Sequence, residues 1–156
     1  MPSEALFIGI ATVAVVIAGF AGITSGLTTE TGWNAGQRLR QRAIVSTSFN
    51  VTFESLLPPV LFAMVGEARM SIVLSSGLVA IYALVIVVVR ARQMLRAGAL
   101  VSRAARVMFV AGPIALALFS ANALYFMSDG VYALALCVQL SVAALSFYSL
   151  VASASS

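Results

Sequence analysis

The chain has 156 residues, 62% of them hydrophobic and 9% charged, with a formal net charge of +4. A soluble domain carries about a quarter of its residues as charges, so this chain cannot cover a water-facing surface, and a mean hydropathy of +1.07 makes lipid its solvent. With no His, no Lys and one Cys, Cys137, the usual zinc, copper and bis-imidazole haem sites, a Schiff-base cofactor and an intrachain disulfide are excluded. No cofactor or metal is expected, and Cys137, set in an apolar run, reads as an inert packed thiol.

Residues 5–27 form the first predicted span, an uncharged run long enough to cross the hydrocarbon core. Only Glu4 precedes it, where a secretory leader would carry basic residues, so the span is expected to be retained. Ala14, Ala18, Gly22 and Gly26 recur every four residues. Such a small-residue ridge lets helix backbones approach closely, and packing within the chain is the simpler expectation. A connection with Gly32 and Asn34 at its turn follows; Asn34 and Gln37 resemble an N-cap pair, and Trp33 suits a headgroup interface.

The second span, 44–66, is apolar but carries Glu54 near its midpoint, with Asn50 four residues before it and Ser46 four before that. On a helix the three form one polar stripe. Pro58 and Pro59 follow Glu54 by one turn and predict a kink or an unwound segment. The carbonyls they deprive of amide partners are those near Glu54 and Ser55, and in a membrane such groups must be satisfied by other donors.

The third span, 71–89, is the most lipophilic, and its second half is expected to face lipid. Residues 90–106 predict a helical hairpin arm between the third and fourth helices. Arg92, Arg96, Arg103 and Arg106 fall within about 80° of one another on a helical wheel, a cationic face suited to anionic lipid. The fourth span, 107–127, has a second candidate kink at Gly112-Pro113 and holds Asn122; the fifth, 131–152, holds Gln139. Tyr125 and Tyr132 flank the turn between them and read as interfacial anchors.

All nine cations are Arg, and eight lie in the first and third connections. That is the pattern of membrane orientation, not of a nucleic-acid face. It places the N-terminus outside and the C-terminus inside. The expected fold is all-α: one domain over residues 1–156, a bundle of five transmembrane helices in N-out/C-in orientation.

An acid at mid-membrane depth is by default a proton or cation site. No Arg is close enough in depth to pair with Glu54, so the alternative is a structural, protonated Glu54 hydrogen-bonded to Asn50, Asn122 or Gln139. Catalysis is not expected: there is no Ser/His/Asp set, no metal quartet and no phosphate loop, and Glu30, Glu67 and Asp129 lie in connections away from Glu54.

The segment AGFAGI from Ala18 to Ile23, the alternating Arg38, Arg40 and Arg42, and Glu54 ahead of Leu56-Leu57-Pro58 together resemble a group of small bacterial polytopic membrane proteins. The resemblance extends from the first span to the Pro pair; it implies a bacterial inner membrane and supplies no activity. Two function classes are expected: a proton or cation channel or carrier using Glu54, or a non-catalytic scaffold or accessory subunit. Membrane lipids, and a second copy or another membrane protein, are the expected partners.

Overall fold

The structure, a computed structural model, describes residues 3–28, 35–97 and 103–154. Its helices are α1 (Glu4–Thr28), α2 (Ala35–Val65), α3 (Ala68–Ala97), α4 (Arg103–Ala121) and α5 (Asp129–Ala154), with a π-helical segment, Asn122–Phe126, continuing α4. No strand occurs among the described residues. Four stretches are long and apolar enough to cross a membrane: Glu4–Thr24, Gln41–Val65, Ala68–Val89 and Asp129–Ser149. The apolar part of α4 with the π segment, Val110–Phe126, is shorter.

The helices overrun the apolar spans. α2 begins at Ala35 and α3 continues to Ala97, because the Ala, Leu, Gln and Arg of those flanks are good helix formers. The arginines of the first connection and Arg90, Arg92 and Arg96 therefore sit on helical extensions. The turn of the expected hairpin arm, residues 98–102, lies outside the described residues, as do Gly32, Trp33 and Asn34.

At the opposite end the turns are tight. Gly66, at φ +77°, closes α2, its amide bonded to the Phe62 carbonyl at 2.8 Å. The π segment ends where the Met127 amide reaches the Asn122 carbonyl at 2.8 Å, with Met127 in the left-handed region. The Ser128 hydroxyl then accepts from the Gly130 amide at 3.2 Å, capping α5. Ser3 donates to the Asp129 carboxylate and Arg69 to the Met127 sulfur, so the start of α1, the α2–α3 turn and the start of α5 meet at one end of the bundle.

α2 packs against α1, α3 and α5; α4 packs against α3 and α5; and α1 touches only α2 and α5 among the described residues. The molecule is thus a four-helix ring, α2–α3–α4–α5, with α1 laid across the α2–α5 edge. α2 and α5 share the central position.

Small and polar side chains pack inside beside Ile44, Ile72 and Leu136, while many large aliphatic ones point outward. Ser48, Glu54, Ser55, Ser71, Ser75, Ser76 and Asn122 are buried, whereas Met64, Ile81, Leu124 and Val85 are exposed. This suits a helix bundle in lipid, where packing and interhelical hydrogen bonds, not hydrophobic contrast, hold helices together. The second half of α3 does face outward, with Ile81, Leu84, Val85 and Val88 exposed.

Candidate functional site

Two sequence expectations meet at Glu54. Both prolines lie inside α2, which remains helical from Ala35 to Val65, so no unwound segment forms at Pro58-Pro59. The missing donor is replaced instead: the buried Tyr132 hydroxyl donates to the Glu54 backbone carbonyl at 2.7 Å, the acceptor that the residue 58 amide would otherwise have served. Tyr132 is therefore no interfacial anchor. It is fully buried, and Phe7 and Phe119 pack edge-on against its ring at centroid distances of 5.6 and 5.1 Å. Tyr125, by contrast, is exposed.

The Glu54 side chain is held by the same helix. Gln139 donates from Nε2 to Glu54 Oε2 at 2.8 Å. Tyr132 and Gln139 are seven residues apart on α5, two helical turns, and so share one face. One grips the backbone of Glu54 and the other its carboxyl. The carboxyl's partner is a neutral amide and not a cation, and Glu54 itself is only 5% exposed.

Two clefts meet at this residue. The first, of about 80 Å³, lies inside the four-helix ring, with Thr47, Asn50 and Glu54 of α2, Tyr82 of α3, Gly112 of α4 and Gln139 of α5 among its walls. Its lining on each helix runs from the level of Glu54 toward the arginine-bearing end. The second, of about 370 Å³, is a groove between α2 and α3 alone, walled by Phe53, Leu57, Leu78 and Val79. It runs from Glu54 toward the α2–α3 turn. Asn50, Glu54 and Tyr82 border both clefts, and the Tyr82 hydroxyl donates to Asn50 Oδ1 at 3.1 Å across the boundary.

The rest of the expected polar cluster is dispersed. Ser46 is exposed, because a four-residue step turns a helix 40° past a full revolution. Over two such steps Ser46 drifts off the face of Glu54. Asn122 is buried but sits elsewhere, donating to Ser76 Oγ at 2.9 Å and accepting from the Ser128 amide at 2.9 Å. It ties the π segment to α3 and not to Glu54. Cys137 is exposed on α5, not packed. α4 continues as a helix through Gly112-Pro113, and its irregularity falls later, at Asn122.

On α1, Ala14 is fully buried, Ala18 half-buried and Gly22 exposed, with nothing within 4 Å of where a Cβ would stand. The ridge thus packs within the chain at Ala14 and not at Gly22. The surroundings of Gly26 and the side chains of Arg96, Arg103 and Arg106 lie outside what the structure describes; Arg92 is exposed. No group of His, Cys, Asp or Glu able to hold a metal occurs among the described residues.

Sequence reasoning missed Tyr82 and the role of Tyr132. The second was findable, since Tyr132 and Gln139 keep helical spacing on the helix that follows the turn. Tyr82 offers only the weaker sign of a lone phenol within an aliphatic run. Searches of family models, curated proteins and solved structures find no match to this chain.

Proposed function

We propose that this is a small transport protein of a bacterial inner membrane that moves a proton or monovalent cation through Glu54. The observation that carries the reading is a buried mid-helix carboxyl, partnered by a neutral amide, at the junction of two clefts. A fixed cation beside Glu54 would hold it permanently ionised and paired; an amide leaves it free to exchange its proton or counter-ion. Thr47, Asn50, Tyr82 and Gln139 supply the hydrogen-bonding groups that an ion or water needs beside it.

The membrane reading includes five spans. α4 with the π segment runs on past Arg106 over residues 107–126, and at 1.5 Å per residue these 20 residues reach roughly 30 Å, enough for a fifth crossing. Eight arginines at one end and Glu4, Glu67 and Asp129 at the other support an N-out/C-in orientation. Arg92, Arg96, Arg103 and Arg106 then rest against anionic lipid. The open backbone at Gly19 and Gly22 supports self-association through α1.

Flux of protons into liposomes, driven by a membrane potential and read with an entrapped pH dye, tests the reading. Wild-type protein is expected to exceed empty liposomes, and Glu54→Gln to fall to their level. Equal rates for the two proteins would overturn it. The Gln139–Glu54 hydrogen bond favours a second reading, a non-catalytic scaffold or accessory subunit with a structural Glu54. That reading requires equal flux with and without the carboxyl.

A further inference from the structure

The two clefts at Glu54 differ in degree. The one within the ring is smaller and adds Thr47 and Gln139 to the shared polar residues, beside apolar walls from Ile86, Val87 and Val142, with room for a few waters. The groove between α2 and α3 is wider, and its walls are apolar apart from Asn50, Glu54 and the Tyr82 hydroxyl. Phe53 and Leu78 on its rim are 69% and 53% exposed, so it faces sideways out of the bundle, toward where lipid would lie. A volume of about 370 Å³ is in the range of small-molecule sites.

From this juxtaposition of an apolar lateral groove with an acid that has no cationic partner among the described residues, we infer that the α2–α3 groove binds a lipophilic organic monocation, its charge on the Glu54 carboxylate and its apolar bulk against Phe53, Leu57 and Leu78. A small hydrated ion gains nothing from Phe53, Leu57, Leu78 and Val79, which make up the rest of the wall and offer it no oxygen ligands. A neutral lipophile leaves the carboxyl unmatched. A cation with delocalised or shielded charge satisfies both, and the aromatic faces of Phe53 and Tyr82 add cation–π attraction where water is excluded. Such a molecule partitions into the bilayer and reaches the groove laterally. Water reaches the same carboxyl through the polar cleft, so a proton displaced from Glu54 by the arriving cation leaves on that side. The inference rests on the transport reading and names its substrate class.

The test uses the full chain in detergent micelles and equilibrium dialysis with tetraphenylphosphonium, alongside tetraphenylborate, which has the same shape and the opposite charge. One saturable tetraphenylphosphonium site per chain is expected, with no saturable borate site. Glu54→Gln should weaken phosphonium binding at least tenfold. Leu78→Trp, which fills the groove from its rim, should abolish it; Phe53→Ala, which removes a wall at an outward position, should weaken it about tenfold should the Trp variant misfold. Equal binding of the borate, phosphonium binding indifferent to Glu54→Gln, or no saturable binding overturns the inference. Glu54-dependent proton flux in liposomes without phosphonium binding would remove the substrate class and leave the transport reading standing. Absence of both would remove the two together.

Discussion

The phenol of Tyr132 gives the Glu54 carbonyl the hydrogen bond that residue 58, being proline, cannot give, at 2.7 Å and in full burial. A helix in lipid that loses a backbone bond must recover it from a neighbour. α5 supplies that bond and, two turns on, a second one to the Glu54 carboxyl from Gln139. The proline pair and the acid are therefore one construction: the same packing that lets α2 tolerate Pro58 fixes the place of the carboxyl.

Tyr132→Phe should leave that carbonyl buried and unpaired, at a cost of about 1–3 kcal/mol. The ring still fills its place between Phe7 and Phe119, so the loss isolates the hydroxyl. Pro58→Ala in the Tyr132→Phe background restores an amide donor to the same carbonyl and should recover much of the stability. Unfolding of the single and double variants in detergent, followed by circular dichroism, measures the coupling. Additive losses would show that the phenol and the proline are unconnected.

Asn122 is held by the Ser76 hydroxyl and the Ser128 amide at the start of the π segment. Asn122→Ala removes both bonds in a buried position and should destabilise the fold by about 2–4 kcal/mol, with faster hydrogen exchange over residues 122–130. Because Asn122 borders neither cleft, proton flux per folded molecule should persist. A flux loss matching that of Glu54→Gln would put Asn122 on the path after all.

How much of this was readable from residues alone divides along a physical line. Helices long and apolar enough to cross a membrane were legible in the composition, and Glu54 and the need for a donor near it followed from the carboxyl and the Pro pair. The partner of Glu54 did not. Periodicity finds a helix's inner face only when solvent and core differ in polarity, and here Leu78 and Ile81 face outward while Phe7 and Leu136 face inward with the same hydropathy. Polar residues mark the interior better, yet they do not say which pairs meet. Asn50, Asn122 and Gln139 looked equivalent, and only Gln139 lies on the helix that crosses α2 at Glu54. The π segment left no sequence sign comparable to Gly112-Pro113, where the helix in fact continues.

The proposed orientation puts the two ends of the bundle on opposite sides of a membrane. Ser3, Arg69 and Asp129 lie together at one end, and Arg92 lies toward the other. In a Cys137→Ser background, Ser3→Cys in intact cells should react with an impermeant maleimide, and Arg92→Cys only after permeabilisation. The reverse pattern would invert the proposed threading and turn the polar cleft toward the outside.

The Tyr82–Asn50 hydrogen bond stands between the two clefts, 3.1 Å long and joining α3 to α2 beside Glu54. Tyr82→Phe keeps the ring and removes the only donor in that pair able to reach Asn50 Oδ1. With the boundary weakened, water from the polar cleft meets the lateral groove, and passive proton leak in liposomes should rise several-fold above wild type. Stability should change little, by about 1 kcal/mol, because Tyr82 is partly exposed and Asn50 retains room to bond water. Asn50→Leu removes the acceptor while adding an apolar wall, so it should leave leak near the wild-type rate despite losing the same bond. If both variants leak alike, the hydrogen bond itself is the barrier; if neither does, the two clefts are sealed from each other by the packing of Glu54 against α5.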